Sequence, residues 1–346
     1  MPANSMKNLY CLLLTALLAT ACRTPQPPAD PGVNARASAI LHYFQGLESR
    51  PAQRLVSGQF SNFGNGASLR LLNAVHERTG HWPAMLGLDY ADFPRGGLTW
   101  NVPNETAIEY WNQGGLITIS AHLYNPARTN ELGGLRDKDV DLNALLATNS
   151  DTHVRWMHEL DQLAEGLQQL KEAGVVVLWR PFHEMNGDWF WWCGKDPDTF
   201  VRLWRQMFDY FTRTKGLDNL LWVYSPNHGN RTAAYYPGDR YVDLIGLDAY
   251  TDYIDPSHIK GYAELARIDK PFGFTEFGPH APSNPPGDFD YLRFLNGIKE
   301  YFPRTVFFMC WNGKWSLAQN TNVVEFLNDP WIVNREDLPK GLAGGN

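Results

Sequence analysis

Eight short apolar runs, each followed by a helical segment or a long loop, constrain the fold of this chain more than any other feature. They lie at residues 55–60, 84–89, 116–122, 175–182, 220–225, 244–248, 272–276 and 306–311. Most are unbroken rather than alternating, as expected of parallel strands buried on both faces. After the third run, Met157, Leu160, Leu163, Leu167 and Leu170 recur at helical spacing and mark one apolar face. After the fourth, Asp196-Pro197 supplies a cap and a first-turn proline, and Phe200, Leu203, Met207, Phe208 and Phe211 follow before a stop at Gly216. Eight such units predict an α/β protein built as a single (β/α)8 TIM barrel. An open doubly wound sheet would need a glycine-rich phosphate turn after its first strand. The segment Gln59-Phe60-Ser61-Asn62-Phe63-Gly64-Asn65-Gly66 lacks that spacing. No linker-like composition interrupts the chain after Ala37, so one domain is expected over residues 37–346.

The first 36 residues read differently. Lys7, the apolar stretch 9–19 and the small residues before Cys22 form a signal peptide over residues 1–21, too short in its apolar core to span a bilayer. Ala19-Thr20-Ala21-Cys22 resembles a bacterial lipobox, which predicts lipidation of Cys22 and an exported protein held on the outer or cell membrane; ordinary cleavage near Ala21 would instead release it. Residues 22–36, rich in Pro and Ala, suit an extended tether. The formal charge of -7 becomes -7 - 1 = -8 without residues 1–21, whose only charge is Lys7. An acidic chain with no basic stripe is a poor nucleic-acid ligand, so a neutral partner is expected. Cys193 and Cys310 fall beside the fourth and eighth strands, on opposite sides of a closed barrel, which argues against a disulfide.

Polar residues gather where the predicted strands end: Asp89, His122, His183 with Glu184, Asn227, Asp248 with Tyr250, Glu276, and Trp311 with Asn312. In such barrels the active site lies at the C-terminal ends of the strands. Glu184 stands in Trp179-Arg180-Pro181-Phe182-His183-Glu184-Met185-Asn186-Gly187-Asp188-Trp189-Phe190-Trp191-Trp192. A carboxyl group among indoles is partly desolvated, which raises its pKa toward that of a general acid, and flat aromatic faces suit sugars. Glu276, ending the seventh run, would face the same mouth. Two carboxyls about 5–5.5 Å apart serve a retaining glycosidase, whereas about 6.5–9.5 Å leaves room for an inverting water.

These residues carry a resemblance. The run Arg180 to Gly187, then Trp189, then Thr275-Glu276-Phe277-Gly278 resembles glycoside hydrolase family 26, over about residues 54–315. The resemblance implies a retaining β-mannanase acting on mannan, glucomannan or galactomannan, with Glu184 as acid/base and Glu276 as nucleophile. It further implies that Arg180 holds the nucleophile through charge-assisted hydrogen bonds. His122, His183, Trp189 and Tyr250 would contact substrate, and Trp311 would form the floor of the site. Ser120-Ala121 stands before His122 where a Trp is frequent, and the stretch from Tyr250 to Glu276 is compact; both leave the choice of glycan open. β-1,3-Xylan and mixed-linkage β-glucan are therefore alternative substrates, and a non-catalytic glycan-binding lipoprotein is an alternative of another class. A monomer needing no cofactor and no metal is expected.

Other residues read as structural. His76, His81, His153 and His158 suit surface or capping positions, and Trp156, Trp204 and Trp222 suit the core. Trp191 and Trp192 either pack beneath the fourth loop or face substrate. His122, His183, Glu184 and Asp248 lack any recognised metal spacing, and Ser61, Ser120 and Ser225 lack a Gly-x-Ser-x-Gly elbow.

Overall fold

The computed structural model describes residues 25–92, 97–128, 134–279 and 287–345. Eight parallel strands follow one another around a closed barrel: β1 (Gly58–Phe63), β2 (Met85–Asp89), β3 (Leu116–Ser120), β4 (Val177–Arg180), β5 (Leu220–Tyr224), β6 (Leu244–Tyr250), β7 (Phe272–Gly278) and β8 (Thr305–Cys310). Pairing of Gln59 with Cys310 joins β8 to β1 and closes the ring. The expected barrel is therefore present.

The first apolar run is the exception to a simple reading. Leu55–Val56 lies outside the barrel wall, bridging β8 to the short strand Ile332–Val333, and β1 starts only at Gly58. Gly58 allows that close passage, because a Cβ there would lie 2.5 Å from the Phe308 carbonyl oxygen and 2.8 Å from Met309 Cε. Met309 fills the barrel interior above Gly87 as well, where a Cβ would meet its sulfur at 2.8 Å.

The helices cover the outside with the faces their sequences offer. Helix Asp151–Glu172 begins at Ser150, whose hydroxyl accepts from His153 N at 2.9 Å, and buries Leu160, Leu163, Leu167 and Leu170. Helix Pro197–Asp209 begins at Asp196, whose carboxylate accepts from Thr199 N at 2.9 Å, and buries Phe200, Leu203, Met207 and Phe208. Trp156, Trp204 and Trp222 are fully buried between these helices and the barrel.

The expected signal peptide and Cys22 lie outside the described residues. The later part of the expected tether is docked on the domain: Ala29 N donates to the buried Asp243 carboxylate at 2.7 Å, Asn34 N donates to Asp218 O at 2.8 Å, and helix Ala35–Leu47 starts on an Asn34 cap. Cys193 and Cys310 are both buried free thiols. Among the described residues, no helix is long and apolar enough to cross a membrane.

Candidate active site

At the C-terminal end of the barrel the chain leaves β4 through a tight, strained turn. Phe182 and Glu184 both take left-handed backbone conformations, with φ +51° and +58°. Such conformations cost non-glycine residues about 1–3 kcal/mol each and persist only where the surroundings enforce them. Here the enforcement is visible. The Phe182 ring is ringed by Trp156, Trp191, Trp192, Phe200 and Trp204. Trp192 Nε1 donates to His183 O at 2.8 Å, Trp191 Nε1 donates to Leu123 O at 3.0 Å, and Glu184 N donates to Ser225 O at 2.7 Å. Trp191 and Trp192 therefore pack beneath the loop, and Phe190, not either tryptophan, reaches the cleft.

The turn aims Glu184 at Glu276 on β7. Oxygen atoms of Glu184, Glu276 and Asp248 all lie within 4.8 Å of one another. The surroundings of the two glutamates differ sharply. Glu276 receives Arg180 Nη2 on Oε1 at 2.5 Å and the Tyr250 hydroxyl on Oε2 at 2.6 Å. Glu184 receives one donor, Trp189 Nε1 on Oε2 at 2.5 Å. Burial pushes the Glu184 carboxyl well above the ordinary range, and the negative charges of Glu276 and Asp248 add to that push. One carboxyl is thus framed by donors and the other is poised to hold a proton. Burial also drives the Tyr250 phenol upward, with Glu276 and Glu184 beside it, so its hydroxyl remains a donor at neutral pH.

Arg180, at the end of β4, spans two carboxylates: Nη1 donates to Asp248 Oδ2 at 3.1 Å and to Ser225 Oγ at 3.3 Å, while Nη2 serves Glu276. Its guanidinium is all but inaccessible and is charged throughout the accessible pH range, because Glu276 and Asp248 outweigh the penalty of burial. Burial, then Glu276, push the Asp248 carboxyl up against the opposing pull of Arg180. Neither Asp248 nor Ser225 carries a motif that would mark it in the sequence as a partner of Arg180.

The remaining sequence candidates surround the same space. A cleft of about 610 Å³ is lined by Phe63, His122, Leu135, Arg136, His183, Glu184, Trp189, Phe190, Asn227, Tyr250, Glu276 and Trp311. Trp311 stacks flat on Phe60, centroids 3.8 Å apart, and makes one apolar wall. Trp189 lies across Gly187, where a Cβ would fall 2.6 Å from the indole. His122 and His183 meet edge to face with Nε2 atoms 3.2 Å apart. Burial, then His122 and Arg180, hold the His183 imidazole well below its ordinary range, so it is neutral. Of the four groups weighed as a metal set, Asp248 is turned to Arg180 and Ser225, away from both histidines. Phe63 at the end of β1, and Phe190, Leu135 and Arg136 in loops, carry no sequence signal beyond being apolar or charged.

A parallel (β/α)8 barrel with two facing carboxyl groups, one framed by donors and one held protonated, defines a glycosidase. The sequence profile of glycosyl hydrolase family 26 matches residues 29–337. A mannan endo-1,4-beta-mannosidase of Bacillus subtilis strain 168 is 35% identical over 360 residues, covering 97% of each chain. Mannan endo-1,4-beta-mannosidase A and B of Caldalkalibacillus mannanilyticus is 35% identical over 91% of this chain, which spans only 64% of that longer relative. The structure of a Bacillus subtilis mannanase superposes with a TM-score of 0.84 at 34% identity, covering 92% of this chain and 98% of its own. The chain belongs to glycosyl hydrolase family 26.

Proposed function

We propose that this protein is a retaining β-glycanase that cleaves β-1,4-mannosidic linkages in mannan, glucomannan or galactomannan. The observation that carries the reading is the approach of Glu184 to Glu276 within 4.8 Å in opposed settings. Carboxyl groups brought that near each other suit double displacement. Glu184, carrying its proton, protonates the glycosidic oxygen as Glu276 attacks the anomeric carbon. The bond to the leaving sugar breaks, and the remaining sugar is esterified on Glu276. Glu184, now the carboxylate, removes a proton from water, whose oxygen attacks the same carbon and frees Glu276. Arg180 and Tyr250 orient the nucleophile, and Trp189 orients the acid. His122, His183 and Trp311 shape the space around the sugar ring.

The substrate assignment draws on relatives named as mannan endo-1,4-beta-mannosidases that align over nearly all of this chain. A shorter likeness, 33% over 132 residues, is to an endoglucanase H of Acetivibrio thermocellus, so glucans belong in the test. Residues 23–346 incubated with mannan, β-1,3-xylan and lichenan should release oligosaccharides from mannan foremost. Glu276→Ala should abolish turnover of every substrate, whereas Glu184→Ala should spare aryl glycosides with good leaving groups far better than polysaccharide. Retention of mannan hydrolysis by both variants would overturn the assignment, and a wild type that binds glycan without cutting it would establish the binding lipoprotein instead.

The chain is further proposed to be exported and held on a membrane through a lipid on Cys22, on the strength of the apolar stretch 9–19 and the lipobox-like residues before it. Cys22→Ser should move the protein from the membrane to the soluble fraction; unchanged partitioning would refute the anchor.

A further inference from the structure

Asp89, the last residue of β2, takes no part in the mechanism above, yet it is fully buried and bonded to His122, which lines the cleft. Four donors reach its two oxygens. Oδ1 accepts from Ala91 N at 2.8 Å and from His122 N at 3.2 Å. Oδ2 accepts from the Ser120 hydroxyl and from His122 Nδ1 at 2.9 Å. A carboxyl group met only by donors has no acceptor for a proton of its own. Burial works against its charge, but His122 and the hydrogen bonds of Ser120 and Ala91 prevail and hold it below the ordinary range. An ionised Asp89 obliges His122 to carry its hydrogen on Nδ1.

That obligation passes to the next ring. His122 Nε2 faces His183 Nε2 at 3.2 Å, a separation that admits one hydrogen between the two nitrogens and never two. Where His122 carries that one hydrogen alone, its Nε2 is bare, and the hydrogen between the rings belongs to His183 Nε2. His183 Nδ1 is then left bare, and it is indeed a buried atom with no hydrogen-bond partner among the described residues. The opposite arrangement would place a charged His122 beside a His183 that bears an unpaired buried N–H. The Arg180 guanidinium, which already bears on His183, disfavours a second cation beside it. His183 immediately precedes Glu184 and lines the same cleft. A cation at His183 would stabilise the Glu184 anion and strip it of the proton that acid catalysis needs.

We propose that Asp89 is a positioning residue of the active site: acting through His122, it fixes His183 as the neutral tautomer that donates from Nε2, and so keeps the imidazole next to Glu184 uncharged. This rests on the glycanase reading only for its kinetic consequence.

The test uses residues 23–346 with 15N-labelled histidine. Long-range 1H–15N correlations report tautomers directly, and the wild type should show His122 protonated on Nδ1 and His183 on Nε2. Asp89→Asn should reverse both. The backbone N–H groups of Ala91 and His122 demand the amide oxygen, which turns the amide NH2 toward His122 Nδ1. The kinetic cost should fall on kcat, by about 10- to 100-fold, as is typical of groups that orient a working histidine. KM should change much less and circular dichroism not at all. A wild-type His122 protonated only on Nε2 would overturn the relay, as would a folded Asp89→Asn variant with native tautomers and native kcat. Should Asp89→Asn fail to fold, the wild-type tautomers still decide. A wild type inactive on every β-glycan would instead count against the functional reading, leaving the spectroscopic result to stand separately.

Discussion

Glu159→Gln should make the protein more stable at neutral and alkaline pH without altering the cleft. Glu159 lies on helix Asp151–Glu172, is only 4% exposed, and accepts from Tyr124 N at 2.7 Å just beyond His122. Among the described residues no cation faces it. Burial pushes its carboxyl from an ordinary 4.5 up to about 8, with the Tyr124 bond opposing weakly. Because the folded state binds the proton more tightly than the unfolded chain, the associated stability is fully present below about pH 4.5 and is lost as pH rises toward 8. From 4.5 to pH 7 is 2.5 pH units, which at about 1.36 kcal/mol each is roughly 3 kcal/mol. Glutamine keeps the acceptor for Tyr124 N and cannot ionise. Urea unfolding of both proteins at pH 5, 6, 7 and 8 should therefore give a stability difference that widens in favour of the variant by about 1.4 kcal/mol per pH unit. Parallel stability–pH curves would refute the reasoning, since they would mean that Glu159 does not retain its proton in the folded state.

Gly187→Ala should fold normally but lower kcat by up to about 100-fold, because the new methyl 2.6 Å from the Trp189 indole would push it off Glu184; a crystal structure with Trp189 unmoved and full activity would contradict this. Arg180→Met should remove activity and destabilise the protein by about 3–5 kcal/mol in chemical denaturation, because it leaves Asp248 and Glu276 buried without their cation. In residues 23–346, Cys193 and Cys310 should react with Ellman's reagent only after unfolding; both are buried, and burial holds the Cys193 thiol at about 12. Two thiols titrating in the native protein would show that these sites open readily.

The barrel was legible because parallel strands buried on both faces leave unbroken apolar runs, and seven of the eight mark their strands to within two residues. Runs 116–122, 175–182 and 306–311 continue past the observed strand ends, because residues just after a barrel strand, Ala121, Phe182 and Trp311 among them, remain buried. Glu184, Glu276 and Arg180 could be placed because their roles depend on which strand they end. What stayed hidden depends on side-chain direction. Nothing in Asp188-Trp189-Phe190-Trp191-Trp192 tells which rings pack and which face outward, since the loop follows a turn with φ +51° and +58° rather than a periodic element. Asp89 was visible as a polar strand end, but its four donors come from residues scattered between 91 and 122. The docking of Ala29 was masked by composition: a Pro- and Ala-rich stretch reads as a free tether, and the buried Asp243 acceptor that meets it lies more than 200 residues away in the chain.

The double displacement itself is tested most directly by the configuration of the first product. Wild-type enzyme acting on a manno-oligosaccharide, followed by 1H NMR within the first minutes before mutarotation, should show the new reducing end appearing as the β anomer. Initial release of the α anomer would contradict the assignment of Glu276 as a nucleophile and require instead that a water attack the anomeric carbon directly.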